Sequence, residues 1–191
     1  MFDDVVAEIA SMGPDELLDR LRASEGERGR LEAEVAALVG AIDRSGAYRA
    51  DGHASVRGLL RAEVGWCEAE VTGAVRAARL VADAPVVGEA LWQGDIAIAH
   101  VRALAAARAN RRCGTQLLDH VDELVDIARR LPAEDFFLCM RRWVQLADSD
   151  GAHRDAEATH AERTATFVEH DGVGHLTATG GAFDSAEMIE V

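Results

Sequence analysis

Apolar residues recur in alternating steps of four and three along the first quarter of the chain. The pattern begins after Pro14, a residue suited to the first turn of a helix, and it ends at Gly46. Such heptad spacing is typical of one long helix with a single apolar seam, interrupted in this chain by Ser24 and Arg28. The seam fits either packing on the chain's own domain or a dimerising coiled coil. Its apolar members are Leu17, Leu21, Leu31, Val35, Leu38 and Ile42.

Helical periodicity continues as far as residue 147, but in shorter pieces. Gly65, Pro85, Gly94 and Pro132 separate these pieces, because glycine and proline commonly begin or end helices. The predicted helices follow Ser55 and run from about Trp66 to Ala84, from Pro85 to Leu91, from Ile96 to Asn110, from Leu117 to Leu131 and from Phe136 to Leu146.

The pattern changes in the last quarter of the chain. Residues 148–163 hold almost no large apolar side chain, which predicts a linker or a solvated helix. Beyond them two runs of β-type residues flank Asp171-Gly172, and this arrangement predicts a hairpin. Asp184 and Glu187 have the spacing of a capped helix start. Because so few residues follow, we expect this helix to continue in a longer domain beyond the end of the sequence.

Together these patterns predict a mainly α fold, with a long N-terminal helix, a bundle of shorter helices and a small C-terminal β-hairpin. The expected organisation is an N-terminal heptad helix over residues 1–47 and a helical core over residues 48–147. The polar segment 148–163 follows, and residues 164–191 hold the hairpin and the start of the last helix.

The charge of the chain narrows the possible functions. Its net charge is −14, and all 20 basic residues are arginines. The absence of lysine excludes Walker A nucleotide-binding proteins, kinases and pyridoxal enzymes, which all need one. Residues 51–112 carry a net charge of +1, whereas residues 1–50 carry −5 and residues 113–191 carry −10. Only the middle third can therefore approach a phosphate backbone without repulsion.

Several features predict a cytoplasmic protein with no membrane partner. No apolar run approaches the roughly 18 residues that a membrane span needs. The N-terminus is acidic where a secretion signal needs positive charge. Cys67, Cys113 and Cys139 form no Cys-x-x-Cys pair, so neither a disulfide framework nor a zinc ribbon is indicated.

Short motifs follow one another from residue 51 to the C-terminus. They are an Asp-Gly-His-x-Ser turn at 51–55, an Ala-Leu-x-x-Gly-Asp-Ile run at 90–96 leading into His-Val-Arg at 100–102, an Ala-Arg-Arg-Leu-Pro run at 128–132, and a Gly-x-x-Asp at 181–184 after the hairpin. In this order they resemble the actinobacterial 13E12-repeat family, also called domain of unknown function 222. The resemblance covers about three quarters of the chain.

The resemblance implies a non-catalytic, DNA-associated helical module, because in longer relatives this region commonly precedes a C-terminal HNH endonuclease domain. No paired histidine and asparagine with flanking zinc-binding cysteines follow residue 147. We therefore predict no catalytic residue, metal site or cofactor in this chain. Whether it serves an enzyme stays open, since a divalent metal would come with a following nuclease domain.

The best candidate for contact with double-stranded DNA is the segment 66–110 and the turn after it, in the non-acidic third. Its helices fit a helix-turn-helix unit whose later helix enters a major groove. Arginine pairs with guanine edges and asparagine with adenine edges, so these residue types suit direct readout. An ordinary helical bundle with arginines on its surface fits the same pattern. The candidate contacts are His100, Arg102, Arg108, Asn110, Arg111 and Arg112.

Two other interpretations stay open. The heptad seam also fits a module that forms a homo-oligomer or that binds another protein. His153, Glu157 and His160 share one helical face and carry donors suited to a divalent metal. Their spacing matches no established motif, and a solvated helical face explains them equally well.

Overall fold

A computed structural model of the chain describes residues 2–148, 164–170 and 173–179. Most of these residues are helical, and the strands among them form one antiparallel hairpin. The predicted mainly α fold is therefore confirmed. The chain divides into two compact units, of which the first ends at Arg141 and the second begins at Arg142.

The elements follow one another in a simple order. The described helices are α1 (Phe2–Ala10), α2 (Pro14–Ser45), α3 (Val56–Glu63), α4 (Glu68–Asp83), α5 (Pro85–Gln93), α6 (Ile98–Arg108), α7 (Gln116–Asp119), α8 (Val121–Ala128) and α9 (Ala133–Ala147), with a turn of 3-10 helix at Ala47–Arg49; the strands are β1 (Thr164–His170) and β2 (Val173–Thr179).

Helix α2 is the long helix that the heptad spacing predicts, and its ends follow from local sequence. Pro14 occupies its first turn. Gly46 ends it with a φ of 68°, a left-handed conformation that glycine adopts without strain. The N–H of Gly46 donates to the carbonyl oxygen of Ile42 over 3.1 Å.

Helix α2 packs on α4 and α5 through a stripe of small residues beside the leucine seam. Its buried residues are Ala33, Ala36, Val39 and Gly40. A Cβ atom on Gly29 would lie 3.1 Å from the carbonyl oxygen of Leu91, so the backbones of α2 and α5 approach closely there. Small side chains at the contact permit this short separation between helices.

The seam is divided between the core and the surface. Val35 and Ile42 pack against the core of their own chain, so these two proposed oligomerisation contacts are already occupied. The remaining seam leucines are each at least 40% exposed: Leu17, Leu21, Leu31 and Leu38. The interpretation of the whole seam as a dimer interface is therefore corrected at Val35 and Ile42, whereas the four leucines remain at the surface.

One buried cluster joins α2, α3 and α4. Val71 and Val75 supply the α4 side of this cluster, and both side chains are almost fully buried. The other members are Val39, Tyr48, Val56, Leu60 and Ala78. Since α4 also contacts α5 and α6, it is the helix around which the first unit is built.

Some helix ends differ from the sequence-based prediction. Helix α6 begins at Ile98 and not at Ile96, and its N-cap is Ala97 and not Asp95. The Asp95 carboxylate instead accepts a hydrogen bond of 3.1 Å from Nε of Arg129. The helix expected from residue 117 to residue 131 is broken at His120, whose φ of −121° and ψ of 11° are not helical. Helix α1 was not predicted, because it lies before the start of the heptad pattern.

In the second unit, β1 pairs with β2 in antiparallel fashion, with Thr164 opposite Thr179 and Phe167 opposite Leu176. The hairpin prediction is confirmed in this register. The polar segment 149–163 and the helix start predicted at Asp184 lie outside the described residues. Within the part of the chain that the structure describes, no helix is both long and apolar enough to cross a membrane.

Candidate nucleic-acid interface

Helix α6 is mostly buried, although the sequence offered it as a DNA-reading helix. Six of its 11 residues are buried, among them Val101 and Leu104. The exposed strip of the helix consists of Ala99, Arg102 and Ala106. A recognition helix presents three or four side chains to base edges, whereas this strip presents one long side chain.

His100 is not exposed, and this corrects its assignment as a DNA contact. Only 7% of its surface is accessible. Its Nδ1 accepts a hydrogen bond from the backbone N–H of Ala97 over 3.1 Å, and its Nε2 lies 3.0 Å from the carbonyl oxygen of Leu131. The imidazole also lies 5.3 Å from the ring of Phe136, measured between centroids. Both ring nitrogens are therefore occupied: Nδ1 caps the start of α6, and Nε2 holds α6 to the turn before α9.

Arg108 and Asn110 are partly buried, and internal contacts occupy both of them. The guanidinium of Arg108 pairs with the carboxylate of Asp83 at 2.8 Å, which offsets the arginine's charge. The side-chain oxygen of Asn110 accepts a hydrogen bond from the backbone N–H of Arg112 over 2.9 Å and so shapes the turn after α6. Because of these contacts, fewer polar atoms of Arg108 and Asn110 are available to bind a base edge or a phosphate.

The turn after α6 is held tightly at Gly114. A Cβ atom at this position would collide with the carbonyl oxygens of Arg108 and Asn110. The N–H of Gly114 donates to the carbonyl oxygen of Asn110 over 2.9 Å. Arg111 and Arg112, the two exposed candidates in this turn, are thus carried on a defined backbone.

Arg102 shares a groove with a second arginine, Arg76, which was not among the candidate contacts. Arg76 of α4 and Arg102 of α6 are both exposed and line one groove of about 400 Å³. No carboxylate among the described residues forms an ion pair with either of them. The remaining lining residues are Glu68, Ala69, Thr72, Gly73 and Ala105. We call this site the α4–α6 groove.

The charge of Glu68 does not cancel the two arginines of the groove. Its carboxylate pairs with Arg57 at 2.9 Å and with Arg61 at 3.3 Å, so two neighbouring cations already compensate it. Gly73 lies mid-helix on the groove wall, and a Cβ atom there would meet nothing within 4 Å. No contact within the described ranges therefore requires a glycine at this position.

A smaller cavity of about 180 Å³ adjoins the groove and shares Gly73 and Arg102 with it. Val35, Trp66 and Ile98 supply apolar walls to this cavity. At its edge the Glu70 carboxylate accepts a hydrogen bond of 2.8 Å from the backbone N–H of Cys67. This bond, with a smaller contribution from the Cys67 thiol, lowers the pKa of Glu70 below its ordinary 4.5.

Arg76 could have been found by its position in the predicted helix. It follows Val71 and Val75, the apolar residues on the buried face of that helix, and it falls within the non-acidic third. What the sequence does not contain is the distance between α4 and α6, which decides that Arg76 and Arg102 share one groove.

The remaining predictions concern metal binding and the cysteines. Among the described residues, no three His, Cys, Asp or Glu side chains converge in a group that could hold a metal ion. The His153, Glu157 and His160 face lies outside those residues. Cys113 is buried and Cys67 is exposed, and neither forms a disulfide.

Comparison with known protein families, with characterised proteins and with solved structures found no match to this chain. Membership of the 13E12-repeat family and association with DNA therefore stay predictions.

Proposed function

We propose that this chain is a non-catalytic, DNA-associated helical module that contacts the phosphate backbone of double-stranded DNA at the α4–α6 groove. The observation that carries the proposal is the pair Arg76 and Arg102, two exposed arginines on one groove with no acidic partner among the described residues. Arginine is well suited to phosphate, because its planar guanidinium donates two parallel hydrogen bonds.

Electrostatics supports this placement. The groove lies in the third of the sequence that carries +1, and the two flanking thirds carry −5 and −10. Arg111 and Arg112, exposed in the turn after α6, add positive charge to the same third. The single long side chain on the exposed strip of α6 favours contact with phosphates over the reading of base edges.

The resemblance to the 13E12-repeat family agrees with this role. In longer relatives of that family the region stands before an HNH endonuclease domain, to which a DNA-holding module would bring its substrate. The module itself needs no metal for phosphate contact by arginine, and we expect it to act in the cytoplasm.

An electrophoretic shift series tests the proposal with wild type and Arg76→Ala/Arg102→Ala. Each phosphate contact contributes about 0.9 to the slope of log affinity against log salt, so the double variant should lose about 1.8 from the slope. Arg20→Ala/Arg30→Ala is the matched control, because these two exposed arginines of α2 also lack an acidic partner among the described residues. Equal loss in both variants, or no shift at low salt, would refute the proposal.

We propose as a second candidate that the N-terminal residues make the chain a protein-interaction module. The observation in favour is that α1 buries none of its residues and that α2 buries none before Ala33. Light scattering of the full chain over a range of concentrations tests whether the partner is another copy. Leu21→Ser and Leu31→Ser should then lower the measured mass.

A further inference from the structure

Residues 2–21 expose an unusual amount of apolar surface. Of the 15 large apolar residues that are exposed in the described parts of the chain, seven fall in this short segment. They are Phe2, Val5, Val6, Ile9, Leu17, Leu18 and Leu21. Single apolar residues scattered over a surface are ordinary, whereas a concentration of this kind marks an interaction site. We call residues 2–21 the N-terminal arm.

Helix α1 has the spacing of a helix that packs against a partner. Phe2, Val5, Val6 and Ile9 follow the i, i+3, i+4, i+7 pattern, which places them on one face. None of them is buried, and Phe2 is 76% exposed. A helix of nine residues is marginal by itself in water, and it gains most of its stability by burying such a face.

Every charged residue of the arm before Arg20 is acidic. Residues 2–19 contain six carboxylates and no arginine: Asp3, Asp4, Glu8, Asp15, Glu16 and Asp19. The first basic residue is Arg20. An apolar face with acidic flanks attracts a cationic partner, and it is repelled by an anionic lipid surface and by the same arm of a second copy.

We propose that the N-terminal arm binds an amphipathic segment of another protein that carries lysine or arginine beside its apolar face. This inference rests on the second proposed function and names the chemistry of its partner. The apolar side chains supply the contact area, as in other complexes where one helix lays its apolar face on another. The carboxylates select basic partners and increase the rate of association.

Isothermal titration of the full chain with a designed helical peptide tests the inference. The probe carries leucines on one face and lysines elsewhere, and a matched peptide replaces every lysine with glutamate. The lysine peptide should bind and the glutamate peptide should not. Affinity for the lysine peptide should fall as salt is raised, because the flanking charges are exposed.

Variants of the chain then locate the site. Val5→Ser/Ile9→Ser should weaken binding of the lysine peptide by at least about tenfold, since two apolar contacts are lost. Leu138→Ser is the matched control, because Leu138 is an exposed leucine of α9 outside the arm. Asp3→Asn/Glu8→Gln should lower the affinity and its salt dependence. Asp122→Asn/Glu123→Gln removes as much charge from exposed positions of α8 and should change neither.

The outcomes separate this inference from the function on which it rests. Equal loss of binding in the α1 and α8 charge variants would mean attraction to net charge alone and would overturn the inference. A stable dimer that Leu21→Ser dissociates, with no binding of the lysine peptide, would overturn it while leaving the interaction function in place. If the chain neither binds the peptide nor self-associates, both proposals fail.

Discussion

The Nε2 atom of His100 lies 3.0 Å from the carbonyl oxygen of Leu131, 31 residues further along the chain. A carbonyl oxygen only accepts hydrogen bonds, so Nε2 carries the proton. The Nδ1 atom accepts from the N–H of Ala97 and is therefore unprotonated. The neutral tautomer of this imidazole is thus determined by two backbone groups, and His100 connects the start of α6 to the turn before α9.

Replacement of His100 is expected to cost stability and not DNA affinity. His100→Phe keeps an aromatic ring beside Phe136 but leaves the N–H of Ala97 and the carbonyl of Leu131 without their partner, a loss of about 2–4 kcal/mol. Urea denaturation measures the change. Arg102→Ala, on the exposed strip of the same helix, should stay within about 0.5 kcal/mol of wild type. A His100→Phe variant as stable as wild type would contradict this role.

The protonation state of His100 can be observed directly. Nitrogen-15 spectra of the ring at neutral pH should show a protonated Nε2 and an unprotonated Nδ1. A majority of the opposite tautomer, or rapid exchange between the two, would show that the bonds to Ala97 and Leu131 do not persist in solution.

Gly114→Ala should be strongly destabilising. The new methyl group would occupy the space of the carbonyl oxygens of Arg108 and Asn110, and backbone atoms cannot move aside as a flexible side chain can. We expect a loss of at least about 2 kcal/mol in the free energy of unfolding, measured by urea denaturation. An unchanged midpoint would mean that the turn after α6 is looser than described.

Gly73→Ala should have the opposite effect. Gly73 lies inside α4, and a Cβ atom there meets nothing within 4 Å. Alanine is favoured over glycine inside a helix by about 0.8–1 kcal/mol, so thermal unfolding should occur at a higher temperature. A destabilised variant would reveal a neighbour that closes on this wall of the α4–α6 groove.

Glu70 should give the stability of the chain a component that depends on pH. Its folded-state pKa is lowered below 4.5 by the hydrogen bond from Cys67. A carboxylate whose pKa is lowered on folding stabilises the folded state at pH values above its ordinary pKa. This contribution is lost as the pH falls through the folded-state pKa. The difference in melting temperature between wild type and Glu70→Gln should therefore be largest at neutral pH and vanish in acid. A difference that stays constant with pH would contradict this account.

Several local features of this protein follow from sequence alone. Pro14 and Pro85 stand in the first turns of α2 and α5, and Gly46 and Gly94 end those helices with φ angles of 68° and 79°. The hydroxyl of Ser55 accepts the hydrogen bond from Gly58 that caps α3. Such features depend on a few neighbouring residues, which is why the starts of α2, α3 and α5 and the hairpin were predicted correctly.

The tertiary structure decided which side of each helix is buried. In α2 the leucine seam and the neighbouring stripe of small residues share the same period, so periodicity could not distinguish them. The stripe is buried because α5 approaches so closely that Gly29 lies against the carbonyl of Leu91. A leucine cannot occupy that space, whereas Leu31, outside this stripe, is 62% exposed.

The candidate site was decided in the same way. His100 and Arg102 are two residues apart, yet one is buried against Leu131 and the other opens onto the groove with Arg76. Both were candidate DNA contacts in the sequence, and the packing of α6 separates them. The sequence by itself determined most of the helices and which third of the chain is not acidic. The distances between helices, which long-range packing sets, determined which arginines and which leucines remain at the surface.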